Sequence, residues 1–130
     1  MRIHWVRVLL GGLLAELCVF AVVFPVRSLF GQHAFLASIL IASAIMPFIF
    51  AQWVGRHIES AFVLNGTLVG VVAALFYLAL AWGQPQPLLY KLAHGLKLVG
   101  GAAGGILASH RASRSSPSGK LERARIEPKP

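Results

Sequence analysis

Three ionisable side chains stand inside runs of sequence that are otherwise apolar. Glu16 lies in "LGGLLAELCVFAVV", residues 10–23, and His94 and Lys97 lie in "LYKLAHGLKLVGGAAGGILASH", residues 89–110. A carboxylate, an imidazole and an ammonium can do two kinds of chemistry in such surroundings. They can pass a proton or a cation along, with Glu16 as the coupling carboxylate and His94 as a relay. They can also neutralise one another as an ion pair that fixes how two helices meet. Left alone at the centre of a bilayer, either charge costs at least about 2.5–3.5 kcal/mol, so pairing is the expected response.

The elements that must carry these residues follow from composition. Hydrophobic residues make up 57% of the 130, and charged residues 12%. A soluble domain has about 25% charged residues, so segments facing lipid are expected. The net charge of +8 does not form a basic face interleaved with aromatics, which excludes a nucleic-acid partner. Four apolar runs, roughly 5–24, 34–54, 62–82 and 88–109, each have the ~20 residues that a helix needs to cross a bilayer. Short intervening segments, "RSLFGQH", "GRHIES" and "GQPQP", predict antiparallel neighbours. The fold class expected is therefore all-α, a polytopic four-transmembrane-helix up-down bundle over residues 1–110. Residues 111–130, rich in Ser, Pro and Arg, are expected to form a disordered basic tail.

The first run is preceded by Arg2 and Arg7, as in a secretory signal. It is too long for one, contains Glu16 and has no small-x-small cleavage site, so a retained anchor ending at Pro25 is expected. Lysine and arginine are denser at the ends of the chain and around Arg56 than around Arg27 and "GQPQP". The positive-inside rule then places both termini in the cytoplasm of a bacterial inner-membrane protein, multi-pass. Trp5 and Trp53 fall at one boundary, and Trp82 with Tyr90 at the other.

With those helices in place, Glu16 lies about 16 Å from one edge and Lys97 about 14 Å from the other, both near the midplane. First and last helices of an up-down bundle are neighbours, so a Glu16–Lys97 pair within one chain is natural. His94, Lys97, Gly101, Gly105 and Ala108 share one side of the last run, and Gly12, Ala15 and Glu16 one side of the first. The simplest packing sets these two sides together. Gly12, Gly66, Gly70, Gly101, Gly104 and Gly105 are the expected helix-packing positions, because small residues let backbones approach closely in lipid. A phosphate-binding loop at "GGAAGG" is rejected, since no strand precedes it and no Lys-Ser/Thr follows. Nucleophile elbows, paired carboxylates and metal-ligand spacings are absent from the sequence. A non-enzymatic role without metal or cofactor is expected. The expected partners are the bilayer, anionic head groups at the basic tail, and a second copy or a larger membrane complex.

Two resemblances add to this reading. "LGGLLAEL" around Glu16 resembles the first helix of the small multidrug resistance transporters, which implies Glu16 as a carboxylate that exchanges protons for cationic substrates. "NGTLVGVVAALFY" at 65–77 and "GGAAGGIL" at 100–107 resemble the third and fourth helices of small four-helix bacterial membrane proteins, YrzE-like. That likeness implies a membrane location and an architecture, and no activity.

Overall fold

In the computed structural model, residues 3–115 are described. They form three helices, α1 (Trp5–Gly55), α2 (Phe62–Leu80) and α3 (Leu88–Ser115). This corrects the expectation of a four-transmembrane-helix bundle. The runs 5–24 and 34–54 are parts of one 51-residue element, and two helices, α1 and α2, are long and apolar enough to cross a membrane. Among the described residues α3 does not join them, because Lys91, His94, Lys97 and its glycines make it the least apolar of the three.

The expected break at "RSLFGQH" is confined to Gly31, where two helical stretches meet at a kink. Pro25 does not end the helix but is carried within it. Ser28 Oγ donates to the Pro25 carbonyl at 2.9 Å, and helical backbone continues on both sides of a single departure, Gly31 at φ 80°, ψ −170°. That region is open in practice only to glycine. One residue therefore does what seven were expected to do.

The turn is sharp. A straight helix of this length would span about 76 Å, yet Val8 packs with Val54 near one end of the molecule. At the other end Val19 and Val23 pack with Phe35 and Ile39. The two arms of α1, residues 5–30 and 32–55, therefore lie antiparallel against each other. Pro47 is buried inside the second arm.

The start of α2 is set by Ala61, whose φ of 55° and ψ of 37° place a non-glycine residue in the left-handed region. Asn65 holds it there. Its Nδ2 donates to the Ala61 carbonyl at 2.9 Å, and its Oδ1 accepts from the His4 backbone N–H at 3.1 Å. The fully buried Asn65 thus ties the start of α1 to the start of α2. The helix stops at Leu80, two residues before the expected end, so Trp82 lies in the following turn and is 87% exposed.

At the other end of the chain, α3 runs to Ser115. Residues 111–115, expected to begin the tail, are helical. Ser113 Oγ donates to the Ser109 carbonyl at 3.0 Å, and Arg111 Nη1 donates to Gln52 Oε1 across to α1 at 3.0 Å. The rest of the expected disordered tail lies outside the described residues.

Beside the apolar clusters, the interior holds charged and polar side chains while bulky apolar ones lie outside. Among the largest fully buried side chains are Lys97, Glu16, Asn65 and Ser43, while Phe30, Leu29, Leu88 and Val99 are each more than 60% exposed. In water, burial should favour the second group and exposure the first.

Candidate functional site

Glu16 and Lys97 meet between α1 and α3. Lys97 Nζ lies 2.6 Å from Glu16 Oε2, and both residues are buried. The contact is sealed lengthwise. Toward the Gly31 end lies the cluster of Val19, Val23, Phe35, Ile39, Ala42 and Ala93. Toward the chain's ends lies the cluster of Val8, Val54, Ile58 and Val69. Two desolvated charges in such a place demand each other, since removing one leaves the other uncompensated in a medium of low polarity.

The site has a third member that the sequence reading missed. Tyr77 of α2 presents its ring to the Lys97 ammonium, with Nζ 4.9 Å from the ring centroid. A desolvated cation over an aromatic face gains up to about 2 kcal/mol. Tyr77 is also the hub of an aromatic group. Its ring stacks on Tyr90 at 5.8 Å, lies 6.2 Å from Phe20 and meets His94 at 5.0 Å. The signal that pointed to it was its depth. It is a hydroxylated ring inside "AALFYLAL", on the helix that packs against both α1 and α3. Asn65 was missed in the same way, although it is the chain's one asparagine and sits in an apolar run.

His94, placed beside Lys97 by helical spacing, is brought to Tyr77. Both of its ring nitrogens are buried, and among the described residues neither has a hydrogen-bond partner. Both Glu16 carboxylate oxygens likewise lack a hydrogen-bond partner among the described residues, Oε2 meeting Lys97 as an ion-pair contact. An unmet buried polar atom costs about 1–3 kcal/mol, so Oε1 and the imidazole are in deficit.

The glycines position this centre by controlling how near α3 can come. Gly101 and Gly105 face α2: a Cβ on Gly66 would lie 2.5 Å from the Gly101 carbonyl oxygen, and one on Gly105 2.5 Å from that of Phe62. A Cβ on Gly70 would run into the carbonyl of Lys97 itself. Gly104 and Gly100 face the second arm of α1, where added carbons would strike the Phe48 and Ala44 carbonyls. The four glycines of "GGAAGG" therefore serve two seams at once. Gly12 departs from the expected pairing of faces. It lies against α2, where a Cβ would be 2.5 Å from Val72 Cβ, while Glu16 reaches Lys97.

No protein-family model matches the chain, and the comparisons with curated proteins and with solved structures return no match. The class is accordingly defined by the molecule's own geometry. It is an all-α chain with a charge pair closed between helices, two of which are long and apolar enough to cross a membrane.

Proposed function

We propose that the protein is an integral component of the bacterial inner membrane with a non-enzymatic, accessory or structural role, and that the Glu16–Lys97 pair joins α1 to α3. The observation that carries this reading is the pattern of burial. Glu16, Asn65 and Lys97 lie inside while Leu29, Phe30 and Leu88 face outward, an arrangement suited to a lipid surround. In this reading α1 and α2 cover the Lys97 charge of α3. Arg7, Arg56, Arg111 and Arg114 then mark the cytoplasmic end, with both termini there. Arg27, which lies over the Phe35 ring at 5.2 Å, and Lys91 belong to the outer end. Exposed apolar faces supply the contact with lipid and with a second copy or a larger membrane complex. The tail lies against anionic head groups.

Two measurements test it. Reporter fusions after Gly31 should read as external, and fusions after His57 as cytoplasmic. Glu16→Gln should destabilise the purified protein, and adding Lys97→Met should restore most of the loss. A double variant no more stable than the worse single variant would remove the structural role of the pair.

A second reading has Glu16 as the coupling carboxylate of a proton-driven transporter of small cations. Its support is Glu16 Oε1, which has no hydrogen-bond partner among the described residues, and the nearby imidazole of His94. Lys97 weighs against it, because the ammonium occupies the oxygen a substrate cation would need. Proteoliposomes should show cation-driven proton movement that Glu16→Gln abolishes. Silence across a panel of cations would leave the structural reading alone.

A further inference from the structure

At the end of the molecule opposite Gly31, the close of α1 and the last turns of α3 frame a crevice of about 240 Å³. Its walls include Gln52, Gly55, Arg56 and Ile58 from α1 and the residues after it, with Ala108 and Arg111 from α3. The floor is made by small residues, since Gly55 sits directly against the Ala108 methyl. Among the described residues that line it are two arginines, Arg56 and Arg111, and no acidic residue. Gln52 Oε1 accepts from Arg111 Nη1 at 3.0 Å, which sets the plane of that guanidinium against α1. The last carbonyls of α1 carry partial negative charge, which the two guanidinium groups must outweigh. Those of Gln52 and Val54 are engaged by the Arg56 backbone N–H, and that of Val54 by the His57 N–H as well. The acidic residue described at this end, Glu59, lines a separate crevice with His4, Arg7 and His57.

The level of the crevice matters as much as its charge. Trp53, next in sequence to Gln52, is 40% exposed, and Trp5 at the start of the same helix is 57% exposed. Exposed indole rings at both ends of one antiparallel pair of arms define a membrane–water boundary. In the membrane reading that boundary is the level of lipid phosphates, and planar guanidinium forks bind phosphate oxygens two at a time.

We propose that the Arg56–Arg111 crevice is a binding site for the phosphate of an anionic phospholipid. This inference rests on the membrane reading above. The lipid's charged group would bridge α1 to α3 at the cytoplasmic end, where the Glu16–Lys97 pair bridges them at depth. Basic pockets between membrane helices on this side are suited to such head groups.

The full chain in neutral detergent should show a saturable rise in thermal midpoint, followed by tryptophan fluorescence, on titration with dioctanoyl phosphatidylglycerol. Arg56→Gln with Arg111→Gln should raise the half-saturating concentration about tenfold to thirtyfold, from about 1 kcal/mol per basic residue. Arg7→Gln with Arg114→Gln removes the same charge outside the crevice and should leave it nearly unchanged. Helicity and elution of both double variants establish that they are folded. Should the first fail to fold, Arg56→Lys and Arg111→Lys, which keep charge and lose the fork, should weaken binding part-way. Equal weakening by the control pair, or equal protection by dioctanoyl phosphatidylcholine, would overturn the site. Equal protection by inorganic phosphate would overturn its assignment to a lipid. A chain that remains monodisperse without detergent would defeat the membrane reading instead, before any lipid is added.

Discussion

Two of the interfaces that hold α3 work by different physics. Against the first arm of α1 it uses a charge pair, Glu16 with Lys97 at 2.6 Å. Against α2 it uses an absence of side chains, with Gly66 and Gly70 meeting the backbone of Lys97, Gly101 and Gly105. The charge pair is chemically demanding and sterically tolerant. Any two groups that satisfy each other at that depth can replace it. The glycine seam is the reverse, being indifferent to polarity and intolerant of a single methyl group. Lys97 belongs to both, for its side chain reaches Glu16 while its carbonyl abuts Gly70. The helix least suited to lipid is thus held by one contact that cancels its charge and one that brings its backbone close.

The largest expected effect breaks the first contact. Lys97→Met alone leaves Glu16 buried and unpaired and should cost about 3–5 kcal/mol, read as a lowered midpoint in detergent denaturation. Combined with Glu16→Leu, most of that should return. Next comes the seam. Gly70→Ala should cost about 1–3 kcal/mol through overpacking, against the small gain in helix propensity, and no second substitution at Glu16 or Lys97 should rescue it. A smaller effect ties the two interfaces together. Tyr77→Leu removes the ring under the Lys97 ammonium and should cost about 2 kcal/mol, while Tyr77→Phe keeps the ring and should lose much less. The smallest effect has the opposite sign. A Cβ at Gly95 meets nothing within 4 Å, so Gly95→Ala should stabilise by about 0.5–1 kcal/mol. Equal losses at Gly70 and Gly95 would show that the seam has no special demand for glycine.

Much of the interior could be read from the chain, and the reasons it could not all be read are physical. Glu16 and Lys97 were conspicuous because each is the one charge deep in its run, and counting residues from opposite edges gave them equal depth. The turn was hidden because "RSLFGQH" contains a cation, polar side chains and glycine, the usual signs of a loop. In the structure Ser28 bonds back to the Pro25 carbonyl, and Gly31 alone reverses the chain. Four separate helices were therefore expected where the backbone forms three elements. A helical wheel identified the small faces but not their partners, since each arm of α1 has more than one neighbour. That is why Gly12 was assigned to α3 and lies on α2 instead. Tyr77 and Asn65 were passed over as members of an apolar run because their roles exist only once another helix arrives.

The separation of Glu16 from Lys97 along the chain has a consequence for synthesis. The lysine follows the glutamate by 81 residues, from 16 to 97. At about 5–20 residues per second, the ribosome needs about 4–16 seconds to supply it. During that interval the carboxylate in the first arm of α1 has no Lys97 to meet. A chain that ends before Lys97 never leaves that state.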